Sequence, residues 1–112
     1  MALIQKMMTQ KQRKALPALY ETDGQGMDAK VVVRYFSGGR TTNYITEYDG
    51  NDTMFGYTIN EYGEGEWGYI SLSELETHHR SMIMGRTERD AWFSPKTLRE
   101  ALTNDGYEHL TI

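Results

Sequence analysis

The chain has 112 residues, no cysteine and a formal net charge of −4 at pH 7. Its length allows roughly two-thirds of the unfolded surface to be buried, enough for one hydrophobic core, and the lack of cysteine excludes disulfides, thiolate zinc sites and a cysteine nucleophile. Acids outnumber lysines and arginines 16 to 12, a balance that opposes tight, sequence-independent binding to a phosphate backbone. The charge is also uneven. Lys6, Lys11, Arg13 and Lys14 precede every acid, and everything after residue 20 carries 16 acids against 8 bases. No apolar run approaches the roughly 20 residues that span a bilayer, and no secretory pattern opens the chain. A soluble, cytoplasmic protein with no membrane partner is expected.

In chain order, residues 3–16 predict a helix stopped by Pro17, with Leu3 and Met7 on one face and a weak amphipathic pattern. Weak docking of that helix is expected. Asp23-Gly24 and Gly26 mark a loop. A β-meander then occupies residues 30–71. Lys30 to Phe36 is β-branched and aromatic, Ser37-Gly38-Gly39-Arg40 is a turn, and Thr42 to Tyr48 returns. Asp49-Gly50-Asn51-Asp52 turns again, Thr53 to Ile59 is the third strand, and Trp67 to Ile70 the fourth. Turns this tight require antiparallel neighbours. Within each strand of this meander, period two puts Tyr44 with Tyr48, Phe55 with Tyr57 and Ile59, and Val31 with Val33 and Tyr35 on a shared face.

Ser71 with Glu74, and Ser73 with Glu76, have capping-box spacing and predict a helix carrying Leu72 and Leu75. Arg80 to Thr87 reads as irregular, and Arg89 to Phe93 as a short fifth strand. Ser94-Pro95 predicts the start of a last helix over residues 94–104, burying Leu98, Ala101 and Leu102. The expected fold is α+β: one domain over residues 1–112, an antiparallel meander of four to five strands packed by two or three short helices.

Leu16-Pro17-Ala18-Leu19-Tyr20, Thr46-Glu47-Tyr48-Asp49-Gly50, Phe55-Gly56, Gly68-Tyr69-Ile70-Ser71-Leu72-Ser73-Glu74-Leu75 and Glu88-Arg89-Asp90 occur in that order. Together these blocks resemble an uncharacterised family of small bacterial proteins of unknown function, often encoded on plasmids and other mobile elements. The resemblance runs from about Leu16 to Leu102, leaving the start of the chain outside it. It implies a genetic context and no mechanism.

Candidate chemistry is sparse. Glu47, Asp49 and Asp52 supply oxygen ligands of the kind Mg²⁺ or Ca²⁺ takes, although turns select Asp and Asn for backbone reasons of their own. His78 or His79 beside a glutamate has the makings of a general base, while a solvent-facing pair at a helix end is the simpler alternative. Glu88-Arg89-Asp90 reads as a charge-paired strand entrance, with Arg89 bridging to a carboxylate. Met82-Ile83-Met84 reads either as a plug for the sheet edge or as an adaptable contact surface.

The favoured function is a non-enzymatic protein-binding accessory or regulatory factor of a mobile genetic element, with counter-defence inhibition as one specific form. Its expected working surface is acidic and tyrosine-rich: Tyr44, Glu47, Tyr48, Tyr57, Glu64, Glu66 and Trp67. The expected partner is a host or element-encoded protein, such as a nucleic-acid-binding one, and an uncovered edge strand leaves a dimer open. No cofactor is expected. The alternative is a metal-dependent enzyme on a phosphorylated or nucleic-acid substrate, with Glu47, Asp49, Asp52 and His78 or His79 at its centre.

Overall fold

The structure, a computed structural model, describes residues 5–38, 41–81 and 86–112. Four strands follow one another as antiparallel neighbours: β2 (Val33–Ser37), β3 (Thr41–Tyr48), β4 (Thr53–Ile59) and β5 (Gly65–Ser71). A short β6 (Thr87–Arg89) pairs with the far side of β2, so the sheet order is β5-β4-β3-β2-β6. The α+β meander is therefore as expected. The first and fifth strands differ most from expectation. Lys30–Val31 (β1) peels away from the first strand to pair with Lys96–Thr97 (β7), and the fifth strand ends at Arg89 because Asp90 begins a turn, its carboxylate accepting the Trp92 N–H at 3.0 Å.

Among the described residues three α-helices pack this frame. The first, α1 (Gln10–Ala15), opens with a reciprocal capping box: Gln12 N–H donates to Thr9 Oγ1 at 3.1 Å, and Thr9 N–H to Gln12 Oε1 at 2.9 Å. It is shorter than the helix expected over residues 3–16 and buries nothing itself, but the segment before it is not weakly docked. Met7 and Met8 are core residues, and the Gln5 side chain binds the Arg89 backbone through both N–H and C=O. In α2 (Leu72–Ser81), Ser71 Oγ accepts the Glu74 N–H at 3.2 Å, realising the capping spacing. The last helix, α3 (Leu98–Asn104), starts at Thr97 rather than Ser94, since Lys96 and Thr97 are held extended by β1.

Core clusters lie on both faces of the sheet. Val33, Tyr35, Ile45, Tyr48 and Met54 pack against Met7, Met8, Leu16 and Leu72. On the other face Tyr44, Tyr57 and Ile59 pack, with Val31, against Leu98, Ala101 and Leu102. Tyr44 and Tyr48 therefore do not share a face, and neither do Val31 and Val33. The first split has one cause: the β3–β4 register shifts between Ile45, opposite Gly56, and Glu47, opposite Phe55. A bulge at Thr46 turns the strand by one residue, which moves every later side chain to the other face. Glu47 joins Tyr44, and Tyr48 goes beneath α1. Gly56 is required at this bulge, because a Cβ there would lie 2.0 Å from the Tyr44 carbonyl oxygen.

Candidate functional site

On the Tyr44 face, α3 covers only part of the sheet. Beyond it, cross-strand pairing places Phe55 opposite Tyr69 and Tyr57 opposite Trp67. These rings form a ladder: Phe55 stacks on Trp67 at 5.6 Å, meets Tyr69 edge-on at 5.2 Å, and Tyr57 meets Trp67 edge-on at 5.3 Å. Gly65 leaves the space that the Tyr57 phenol occupies, since a Cβ there would overlap the ring. The ladder emerges into solvent along the edge strand. Trp67 is 37% exposed, Tyr69 58% and Tyr20 65%.

Tyr20 comes from the loop that borders the ladder. It is the one non-glycine residue with positive φ among those described, at 75°, a conformation that crowds a Cβ against the backbone. Glu47 holds it there. Its carboxylate, 2% exposed, accepts the N–H groups of Tyr20 and Thr22, each at 2.8 Å, together with the Thr22 hydroxyl. A buried charge is tolerated when several donors replace its water. The Tyr20 hydroxyl lies 3.2 Å from that of Tyr69, which donates to it; this bond pushes the Tyr69 phenol pKa up. Between loop and ladder lies a cleft of about 320 Å³ lined by Thr22, Asp23, Gly24, Gly26, Phe55 and Trp67.

The expected surface residues divide here. Glu64, Glu66 and Trp67 are exposed. Tyr44, Tyr48, Tyr57 and Glu47 are buried and are corrected as direct contacts. Tyr44 donates to Asp105 Oδ2 at 2.5 Å, and Arg34 ties that carboxylate and Asp90 to the sheet at 3.0 and 3.2 Å. Burial first, and then the Asp105 hydrogen bond, push the Tyr44 phenol well above its ordinary pKa. Tyr48 donates to Asn51 O and accepts from Arg13, each at 2.7 Å. Tyr20, Phe55 and Tyr69 join the surface from outside the expected set. Tyr69 had a signal, since it stands two residues from Trp67 on an edge strand.

The structure does not assemble the alternative metal set. Glu47 serves the loop at residues 20–22. Asp49 accepts the N–H groups of Asn51, Asp52 and Thr53, and these bonds, Asn51's the largest effect, hold its carboxyl below the usual range. Asp52 accepts the Ser71 hydroxyl and the Ser73 N–H, each at 2.7 Å, which lowers its pKa and fastens the start of α2 to the β3–β4 turn. His78 Nδ1 accepts the Thr87 N–H at 2.9 Å. His79 is buried, with Nε2 accepting the Gln5 N–H at 2.9 Å and Nδ1 at 2.8 Å from Thr87 O, an arrangement that puts the ring proton on Nδ1. Among the described residues no three carboxylates or histidines converge as a metal-ligating group.

Arg89 donates to the Lys6 carbonyl rather than bridging to a carboxylate, while Asp90 pairs with Arg34. Met82-Ile83-Met84 lies outside the described residues. Among the described residues no helix is long and apolar enough to cross a membrane.

A family profile for DUF2958, described as a protein of unknown function, matches residues 3–103. The chain belongs to that family. The match begins well before Leu16, so the N-terminal segment of this DUF2958 chain is part of the family's domain, in keeping with the burial of Met7 and Met8. No curated protein and no solved structure matches it.

Proposed function

We propose that this DUF2958 chain is a non-enzymatic accessory factor of a mobile genetic element that docks on a basic, nucleic-acid-handling host protein through Tyr20, Phe55, Trp67, Tyr69 and their cleft. Tyr20 carries the reading. A left-handed backbone at a residue with a side chain costs on the order of 1 kcal/mol or more and persists only where the surroundings enforce it. Here a buried carboxylate enforces it, and the outcome is a tyrosine ring set in solvent with its hydroxyl against that of Tyr69.

Rings with one side packed and one side wet are the side chains that dominate protein interfaces. Glu21 and Asp23 in the loop, and Glu64 and Glu66 at the start of the edge strand, favour a partner displaying arginine and lysine. The mobile-element setting rests on the sequence resemblance, and counter-defence inhibition is the form of docking that setting suggests. The test compares wild type with Trp67→Ala/Tyr69→Ala as baits in host lysate at moderate salt. The expected result is a discrete basic protein retained by wild type and lost by the variant; equal retention by both, or none by wild type, overturns the reading.

A further inference from the structure

The arginines among the described residues fall into two groups. Arg34, Arg86 and Arg99 each lie within ion-pair distance of a carboxylate. Arg13, Arg80 and Arg89 have no such partner among the described residues, and neither does Lys6, although the chain carries 16 acids. These four cations come from two stretches of the chain, residues 6–13 and 80–89, that meet in one place. Lys6, Arg13 and Arg80 line a pocket of about 140 Å³ with Gln5, Met7, Met8, Glu76 and His79. Arg89 sits beside it, its Nε donating to the Lys6 carbonyl at 2.7 Å.

The pocket is built rather than incidental. Its floor is the buried segment of Met7 and Met8, tied down by the Tyr35 hydroxyl on the Met7 carbonyl. His79 closes one wall, with both ring nitrogens already used. Arg13 is aimed by its bond to the Tyr48 hydroxyl and lies over that ring, which leaves its remaining N–H groups free to donate. Like charges lining one pocket repel one another, and an anion between them relieves that repulsion. Glu76 is the single opposing charge in the lining.

We infer that this pocket, between the N-terminal segment and α2, binds one small oxyanion group, a phosphate or a carboxylate. The guanidinium forks of Arg13 and Arg80 and the Lys6 ammonium supply the donors. The acidic remainder of the chain selects a compact monoanionic or dianionic group over a nucleic-acid backbone. The site belongs to the sheet face opposite the aromatic cleft and does not depend on it.

The test is a titration of the full chain with sodium phosphate, and separately with sodium acetate, against sodium chloride at matched ionic strength, followed by backbone amide NMR shifts. Saturable shifts at Lys6, Met7, Arg13 and Arg80 are expected, with the Trp67 indole signal unmoved. Phosphate saturating alone identifies a phosphoryl ligand, and acetate saturating as well identifies a carboxylate-tolerant site. Arg80→Gln, a change at an exposed position, should weaken binding about tenfold, the value of one charge-assisted contact. Glu76→Gln should tighten it. Shifts that never saturate, that appear equally at Lys30 and Lys96, or that survive unchanged in Arg80→Gln would overturn the inference.

Discussion

One face of the sheet carries the same kind of side chain in two conditions. Toward α3, Tyr44 and Tyr57 lie under Leu98, Ala101 and Leu102 and are buried. Toward residues 20–26, Phe55, Trp67 and Tyr69 meet a polar turn instead of a helix and stay partly wet. Strand pairing does not distinguish the two halves, because Tyr57 and Trp67 are direct cross-strand partners. What differs is the cover. An apolar helix closes one half, and a glycine-rich loop pinned by Glu47 leaves the other open. Burial of an aromatic residue here is decided by what crosses the face, not by the strand that bears it.

Deleting packing in the covered half should have the largest effect. Leu102→Ala, at a fully buried position, should cost about 3 kcal/mol of unfolding free energy in urea denaturation. Glu47→Gln comes next. It presents an amide N–H₂ to groups that are themselves donors, and should cost about 2 kcal/mol. Hydrogen exchange at the Tyr20 and Thr22 amides should accelerate in that variant, while the amides beneath α3 keep their protection. Equal acceleration in both halves would dissolve the distinction between them.

In the open half, Trp67→Ala should cost about 1–2 kcal/mol, the ring being partly exposed but packed on Phe55 and Tyr57, while abolishing partner capture. The acid limb of stability should respond least. Asp49 and Asp52 have folded pKa values lowered by hydrogen bonds, so their contribution is present above the ordinary carboxyl value of about 3.9 and is lost as pH falls through the folded values. Melting temperature measured against pH should therefore fall less steeply below about pH 4 in Asp52→Asn than in wild type. Parallel curves would deny Asp52 its hold on α2.

The meander was legible because each turn carries its own chemistry: Asp49-Gly50-Asn51-Asp52 specifies a turn whatever surrounds it. The cap at Ser71 and the buried stripe of Leu98, Ala101 and Leu102 were legible for the same local reason. The bulge at Thr46 was not, since nothing in Ile45-Thr46-Glu47 distinguishes a bulged strand from a regular one. That single residue of register separated Tyr44 from Tyr48 and set Glu47 beneath the loop. Glu47 itself was readable as a notable carboxylate but not for its role. Its partners are two backbone amides and a threonine hydroxyl some 25 residues away, and a backbone amide has no signature in the sequence. Tyr20 was hidden for the same reason, its left-handed backbone being imposed from a distance.

Tyr20→Gly tests most directly whether strain at this residue serves docking. Glycine takes φ near +75° without crowding, so unfolding free energy should be unchanged or should rise by up to about 1 kcal/mol. Capture of the basic partner should be lost with the ring. A variant that is clearly less stable than wild type, or one that retains the partner fully, would contradict the account.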